Sequence, residues 1–505
     1  MIGVVLKRVV CSPQVNRVLS CTSHRDFHDK GYIMGEWVGA KSGKTFDVTN
    51  PATDQVLAKV PDMDEHDAEA SIQAAQTAFL SWRHTTGKER SKLMRKWYDV
   101  IIKRKDEMAK LITLENGKPL AESLGEIIYS SDYVEFYSEE ARRIHGEILS
   151  SPAKSKEMMF VREPIGVVAM LVPWNFPTAM IARKVSAALA AGCTCTIKPS
   201  EDTPLSTILL AATAEEAGIP LGVINVITSS RQHAAGVGAK FCTSHEVRGI
   251  SFTGSTGVGN LLYKQCASTT KRLALELGGN APFIVFDSAD LDNAVVGAMA
   301  SKFRNGGQTC VATNRILIQD KVYDVFISKL KDAISKLVVG DGLDPKTNIG
   351  PLINMAQFHK VAAMVDDAKE KGAKVLVGGK HHSLGRTYYE PTLLVDIKQD
   401  MLCYQQEIFG PVAMTMKFKT EEEAIRIANN TRSGLASYFY SNDFSQIRRV
   451  SHALEYGMVG INEGIISAAE APFGGVKESG LGREGSKHGL DEYCNIKYFC
   501  IGGLN

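Results

Sequence analysis

"VRGISFTGSTGVGNLLYKQC", residues 247–266, decides the architecture. It opens on a short apolar run, passes through a glycine-rich turn, and continues into a segment whose apolar residues return at helical spacing. Strand, glycine turn and helix in that order make one βα unit. Glycines at such a turn allow close backbone approach, and the helix N-terminus after it favours a phosphate through its free N–H groups and dipole. The spacing is not G-x-G-x-x-G, so an ordinary tight turn remains open at this point. Outward from this unit the same grammar repeats: "GVVAMLVPW", "CTCTIKPS" and "GVINVIT" precede it, and "APFIVF", "RILIQ" and "KVLVGG" follow, with helical stretches between. Strands separated by helices predict a parallel sheet with crossovers, so the class is α/β. From about 64 to 150 the pattern is helical and charged.

Composition narrows the function. A chain of 505 residues is long enough for about two to four domains. An apolar fraction of 44% and a charged fraction of 23% are ordinary for a soluble globular protein. Net charge is +2, with Lys and Arg spread among Asp and Glu, so no nucleic-acid or membrane partner is expected. The longest apolar runs, such as "IGVVAMLV" at 165–172, are less than half of the roughly 18 residues a spanning helix needs. Ten cysteines are scattered from Cys11 to Cys500 without a CxxC, which suits a reducing compartment. No HExxH or other ligand spacing points to a metal. The first 25 residues hold Lys7, Arg8, Arg17 and Arg25 and no acid before Asp26, the composition of a mitochondrial transit segment, with a merely disordered tail as the alternative.

Several short motifs carry chemistry. In "PWNFP", 173–177, two prolines frame Asn175 on a strand-to-helix turn. Its amide can donate to a developing oxyanion, or simply cap the helix. "TIKPSE", 196–201, offers Lys198 and Glu201 at a strand's carboxyl end, where open α/β sheets bind nucleotides; a surface ion pair is the alternative. "LALELGG", 273–279, ends a strand with Glu276, whose carboxylate can act as general base if burial raises its pKa. "NGGQTCVATNR", 305–315, places Cys310 on a small, polar loop five residues beyond a helix expected to end at Asn305. A cysteine kept for packing sits among apolar residues, whereas a nucleophile needs access. No histidine stands in a motif-like context, which argues against a cysteine protease.

Asn175 in "PWNFP", Lys198 in "KPSE", Ser255 in "FTGS", Glu276 in "ELGG", Cys310 in "GQTC" and Glu407 in "EIFGP" stand in the order and spacing of the aldehyde dehydrogenase superfamily. "PFGGVKESGLGREG" at 472–485 extends the match, so the chain resembles that family over nearly everything after about residue 32. The resemblance implies a Rossmann-like NAD-binding domain over 31–145 and 166–275 and an α/β catalytic domain over 276–480. It also implies oligomerisation strands at 146–165 and 490–505, behind a transit segment at 1–30. A homo-oligomer, a dimer of dimers, is the expected assembly. By the same resemblance Cys310 attacks an aldehyde, and the Asn175 amide with the Cys310 N–H holds the oxyanion. Glu276 activates water to release the acid, and Lys184 assists proton traffic. NAD is the implied cofactor. Lys198 and Glu201 hold its adenine ribose, Gly254 and Ser255 its pyrophosphate, and Glu407 its nicotinamide ribose, with Trp174 and Phe409 as further contacts. Glu201 tilts the choice to NAD over NADP by charge repulsion.

Within the family, "SKFRNGGQTC", "NEGIIS" and "GREGSKHGLDEYCNIKY" are most similar to the mitochondrial branch that oxidises succinate semialdehyde in 4-aminobutyrate degradation. A carboxylate-tailed substrate needs a cation at a set distance from the thiol, and a guanidinium can grip it bidentately. Arg183, Arg304 and Ser467 match the positions that hold that carboxylate. Alternatively, Arg304 caps its own helix and Arg183 forms an interface salt bridge. A broader aldehyde dehydrogenase, acting on glutarate semialdehyde or lipid-derived aldehydes, is the rival reading. Some relatives carry a second cysteine two positions after the nucleophile; here that position is Ala312, and Gly306 replaces the more usual Ala or Thr.

Overall fold

A computed structural model describes residues 28–504, so the expected transit segment up to residue 27 lies outside the described residues. Two large sheets, a three-stranded sheet and two two-stranded pairs organise the described residues. In the first, Ile224–Val226, Thr194–Lys198, Val167–Leu171, Val247–Thr253 and Arg272–Glu276 run parallel, side by side in that order. The chain therefore builds outward in one direction from Val167–Leu171 and then in the other. The order reverses between Val167–Leu171 and Val247–Thr253. At such a reversal the loops leaving the two carboxyl ends diverge and open a crevice. Val167, Val168, Ala169 and Met170 are all buried, because helices cover both faces of the sheet; that is why these strands read as continuous apolar runs.

The second sheet holds Thr392–Val395, Val412–Phe418, Thr313–Gln319, Ala281–Val285, Ala436–Tyr440 and Met458–Ile461 in parallel. Its edge strand Lys374–Val377 is antiparallel, as are the first sheet's edges Gly31–Ile33, Glu36–Val38 and Gly480–Leu481. An all-parallel reading fails at these edges, since none is joined to its neighbour by a helical crossover.

The helical region resolves into Glu65–Trp82, Gly87–Lys103, Lys105–Asn116 and Leu120–Glu140. Capping boxes at Asp64/Asp67 and Thr86/Glu89 start the first two. Helix stops at Glu140, short of the expected 150, and Glu147–Leu149 is a strand. It lies beside Lys156–Pro164, which pairs antiparallel with Cys494–Gly502 from Lys156↔Gly502 to Pro164↔Cys494. The two segments expected as oligomerisation strands thus pair with each other within the chain. Ile148, Ile496 and Tyr498 on this small sheet are 76%, 66% and 52% exposed.

Candidate active site

The crevice is built from turns. After Val167–Leu171 the chain makes the 173–177 turn and enters the helix Ala179–Ala191, which Gly192 ends in a left-handed conformation. Asn175 is not the helix cap; Thr178 is. The buried Asn175 side chain donates from Nδ2 to Gln308 O at 3.0 Å, which leaves its second amide hydrogen for another acceptor. A buried ion pair fixes this turn. Lys118 Nζ lies 2.6 Å from Glu126 Oε2 and donates to Asn175 O at 2.6 Å, over the Phe176 ring. Glu126 Oε1 accepts the Thr178 and Ala179 N–H groups at the helix start. Removing one partner strands a buried charge, at a cost of about 3–5 kcal/mol. We expect Lys118→Met to lose that amount in urea unfolding; an unchanged midpoint would show that the pair holds nothing.

Cys310 follows an unusual stretch of backbone. The preceding helix is Leu291–Phe303, ending two residues before the expected Asn305. Asn305, Gly306 and Gly307 then adopt φ of 52°, 59° and 74°, three left-handed residues in a row. At Gly307 a Cβ would lie 2.1 Å from Gly410 O, so only glycine fits. At Gly306 space is open but φ is positive, and glycine avoids the strain that Ala or Thr would carry there. Gln308 locks the loop: its Nε2 donates to Asn305 O and its Oε1 accepts Ile353 N–H, while Asn305 Nδ2 donates to Asn175 O at 2.8 Å. Cys310 itself is half-buried. Burial pushes its thiol up to about 12, against the lowering effect of Arg183 and with Glu407, Glu276 and Glu484 adding to the rise. The thiolate is therefore scarce near neutrality. Iodoacetamide modification of Cys310 in the free protein is expected to rise about tenfold per pH unit across the neutral and mildly alkaline range, tracking the thiolate fraction. A plateau near neutrality would mean an already ionised thiol.

Cys310 opens onto a cleft of about 230 Å³ whose wall also contains Trp174, Asn175, Gly254, Ser255, Glu407 and Phe409. Seven of the residues singled out in the sequence thus meet in one place. Trp174 and Phe409 meet edge-on, centroids 5.5 Å apart. Ser255 caps the helix Thr256–Cys266 through Val258 N–H. Glu407 Oε1 accepts Gly279 N–H at 3.1 Å, and burial pushes its carboxyl up to about 7 although Lys360 and Lys302 oppose this. Gly279 packs so close that a Cβ would lie 2.5 Å from Cys310 O. Lys198 and Glu201 are 3.8 Å apart at the end of the neighbouring strand, outside this cavity. Gln357 and Lys360 also line the cleft; they come from the helix Met355–Glu370 and carry no motif.

Glu276, at the end of its strand, is buried and does not line that cleft. Burial and the charge of Glu484 push its carboxyl well above the usual range, against Arg183 and Lys184. Glu484 is the hub that the sequence did not single out: it accepts from Lys184 and is ion-paired with Arg183. Burial opposes its ionisation, but Arg183 and Lys184 hold its carboxyl below the ordinary value. Its only sequence signal is its place inside "GLGREG". Arg183, stacked 4.2 Å over Phe473, is thereby engaged on one side, while its Nη2 has no hydrogen-bond partner among the described residues. Arg304 and Ser467 share a separate cavity of about 570 Å³ with Tyr129 and Glu122. The Arg304 guanidinium sits 4.8 Å over the Phe176 ring. No cluster of three His, Cys, Asp or Glu side chains among the described residues could hold a metal.

Residues 37–499 match the model of the aldehyde dehydrogenase family. The chain belongs to that family. It is an aldehyde dehydrogenase by fold and by descent, an oxidoreductase. It is 54% identical to human "Succinate-semialdehyde dehydrogenase, mitochondrial" over 474 residues, covering 94% of this chain and 88% of that protein. Among solved structures it resembles an Escherichia coli NADP-dependent enzyme with a TM-score of 0.93 and 51% identity, covering 94% of this chain and 98% of the other. Betaine aldehyde dehydrogenase from Staphylococcus aureus in complex with NAD+ superposes with a TM-score of 0.92 at 37% identity, over 95% of this chain and 96% of its own.

Proposed function

We propose that this aldehyde dehydrogenase oxidises succinate semialdehyde to succinate with NAD. The observation that carries the reading is the half-buried Cys310, set against Asn175 and Glu407 at the crevice where the first sheet reverses its strand order. The cleft fits a dinucleotide. Gly254 and Ser255 present a helix N-terminus for the pyrophosphate, Glu407 a carboxylate for a ribose, and Trp174 and Phe409 apolar walls. Lys198 and Glu201 stand further along the same sheet edge for the adenine ribose. The carboxylate of Glu201 repels a 2′-phosphate, which favours NAD even though a relative is described as NADP-dependent.

Bound in this cleft, NAD would supply the hydride acceptor for the carbon attached to Cys310. The chain's own residues do the rest. Cys310 Sγ adds to the aldehyde carbon, and the free hydrogen of the Asn175 amide with the Cys310 N–H holds the resulting oxyanion. After oxidation the thioester is opened by water from which Glu276, kept basic by burial, takes the proton. Lys184 and Glu484, in direct contact, offer that proton a path away from the site. Arg304 and Ser467 hold the substrate carboxylate, with the unpartnered Nη2 of Arg183 as a further donor. On this reading 31–145 and 166–275 form the cofactor domain and 276–480 the catalytic domain. The small sheet of 146–165 and 490–505 joins subunits as a dimer of dimers through its exposed apolar residues, and the location is the mitochondrial matrix.

The test is NADH formation with succinate semialdehyde against butanal, which has the same chain length without the carboxylate. A large preference for the acid supports this reading. Equal use of both leaves the dehydrogenase chemistry standing and favours the broader enzyme acting on glutarate semialdehyde or lipid-derived aldehydes.

A further inference from the structure

The helix Leu120–Glu140 touches both halves of the oxyanion site. Glu126, in its second turn, accepts the Thr178 and Ala179 N–H groups at 2.9 and 3.3 Å and pairs with Lys118, so it holds the turn that carries Asn175. Glu122 stands one turn earlier, and residues four apart share a helix face. Its Oε2 accepts the Asn305 N–H at 2.8 Å. An acid in a first helical turn ordinarily faces the free N–H groups of its own helix. This one reaches instead to the segment that leads into Cys310. Asn305 is the first of the three left-handed residues there, and its carbonyl and amide nitrogen are engaged as well. The carbonyl accepts Gln308 Nε2 at 3.2 Å, and Nδ2 donates to Asn175 O at 2.8 Å. Asn175 Nδ2 in turn donates to Gln308 O. Asn305 thus joins the nucleophile loop to the Asn175 turn, and Glu122 fixes Asn305 from the helix.

We propose that Glu122 is a positioning residue: together with Glu126 it makes the helix Leu120–Glu140 a fixed spacer that sets the distance between the Asn175 amide and the Cys310 N–H. This role depends on the Cys310 chemistry proposed above, not on which aldehyde is used. Two donors stabilise an oxyanion only when both are fixed where it forms, and a misplacement of about 1 Å costs on the order of a hundredfold. Without Glu122 the left-handed Asn305 loses the acceptor that holds its N–H, and a strained residue keeps its conformation only while its surroundings impose it. Burial pushes the Glu122 carboxyl up, against the Asn305 N–H, Lys118 and Arg304. A protonated carboxyl still offers its carbonyl oxygen to Asn305, so the position requires an acceptor rather than a charge. Glu122 also lines the cavity that holds Arg304 and Ser467, which makes recognition of the substrate tail the rival role.

The experiment measures the first-turnover rate of NADH formation by the full-length protein at saturating NAD, with succinate semialdehyde and butanal in parallel. Glu122→Ala is expected to slow both by about tenfold to a hundredfold while NAD binds at its original affinity. Glu122→Gln, which keeps an acceptor at the same reach, restores most of the rate. Glu122→Asp keeps the charge but is one methylene shorter, and it falls nearly as far as alanine. In an Asn175→Ala background the further loss from Glu122→Ala shrinks, because the donor being positioned is gone. A loss confined to succinate semialdehyde assigns Glu122 to the substrate tail and overturns the proposal. Unchanged rates in Glu122→Ala overturn it too, as do a full rate in Glu122→Asp beside a low one in Glu122→Gln, or additive losses with Asn175→Ala. Should Glu122→Ala fail to fold, the contrast between Gln and Asp decides. Equal use of the two aldehydes by the unaltered chain overturns only the choice of substrate, and the Glu122 contrast is then read on both alike.

Discussion

Cys310→Ala is expected to lower the rate of NADH formation by a factor on the order of 10⁴ or more, because the nucleophile carries every covalent step and nothing beside it substitutes. The geometry makes the result interpretable. Cys310 sits in a loop held by Gln308 and Asn305 rather than by its own side chain, so alanine leaves the loop and the cleft standing. NAD binding, followed by quenching of tryptophan emission, and the thermal midpoint should therefore stay close to those of the unaltered chain. Residual turnover within tenfold of the original would remove the thiol from the mechanism and point to another nucleophile.

Arg304→Ala is expected to reduce kcat/KM for succinate semialdehyde by about 10²–10³-fold, the loss of a charge-assisted contact to a carboxylate in a confined site. Butanal, which has no carboxylate, should be used as before. Arg304→Lys should recover only part of the loss, since an ammonium cannot form the paired hydrogen bonds of a guanidinium. The arginine lies over Phe176, in the turn that carries Asn175, so its removal also strips packing from that ring. An equal fall for both aldehydes would indicate that packing, not recognition, is what Arg304 supplies.

How much of this was legible in the sequence depends on how locally each feature is encoded. The strands of the first sheet announce themselves because both faces are buried and the apolar runs are unbroken. The cleft residues are found because each sits at a strand end or turn, where a few neighbours fix its place: Asn175 between two prolines, Ser255 after a glycine at a helix start. Glu484 was not found, for its importance arises from Arg183 and Lys184, some 300 positions away, and no local pattern records such a meeting. The left-handed run at 305–307 was visible only as two glycines; Asn305 gave no sign that it would share their conformation. The antiparallel edges were hidden for a similar reason. A strand's direction is set by the path between it and its neighbour, and for Gly480–Leu481 that path crosses the second sheet.

The placement of Glu484 also bears on how the protein is made. Lys184 and Arg183 belong to the first half of the chain, yet the carboxylate that neutralises them is supplied near its end, on the segment that also contributes Gly480–Leu481 to the first sheet and leads into Cys494–Gly502. A ribosome translating this message releases the two cations some 300 residues before Glu484, the acid they contact, exists. Until that segment emerges, the first sheet lacks the strand Gly480–Leu481, and Arg183 and Lys184 lack the acid they contact directly. A chain cut anywhere between Lys184 and Glu484 therefore lacks this buried ion-paired cluster.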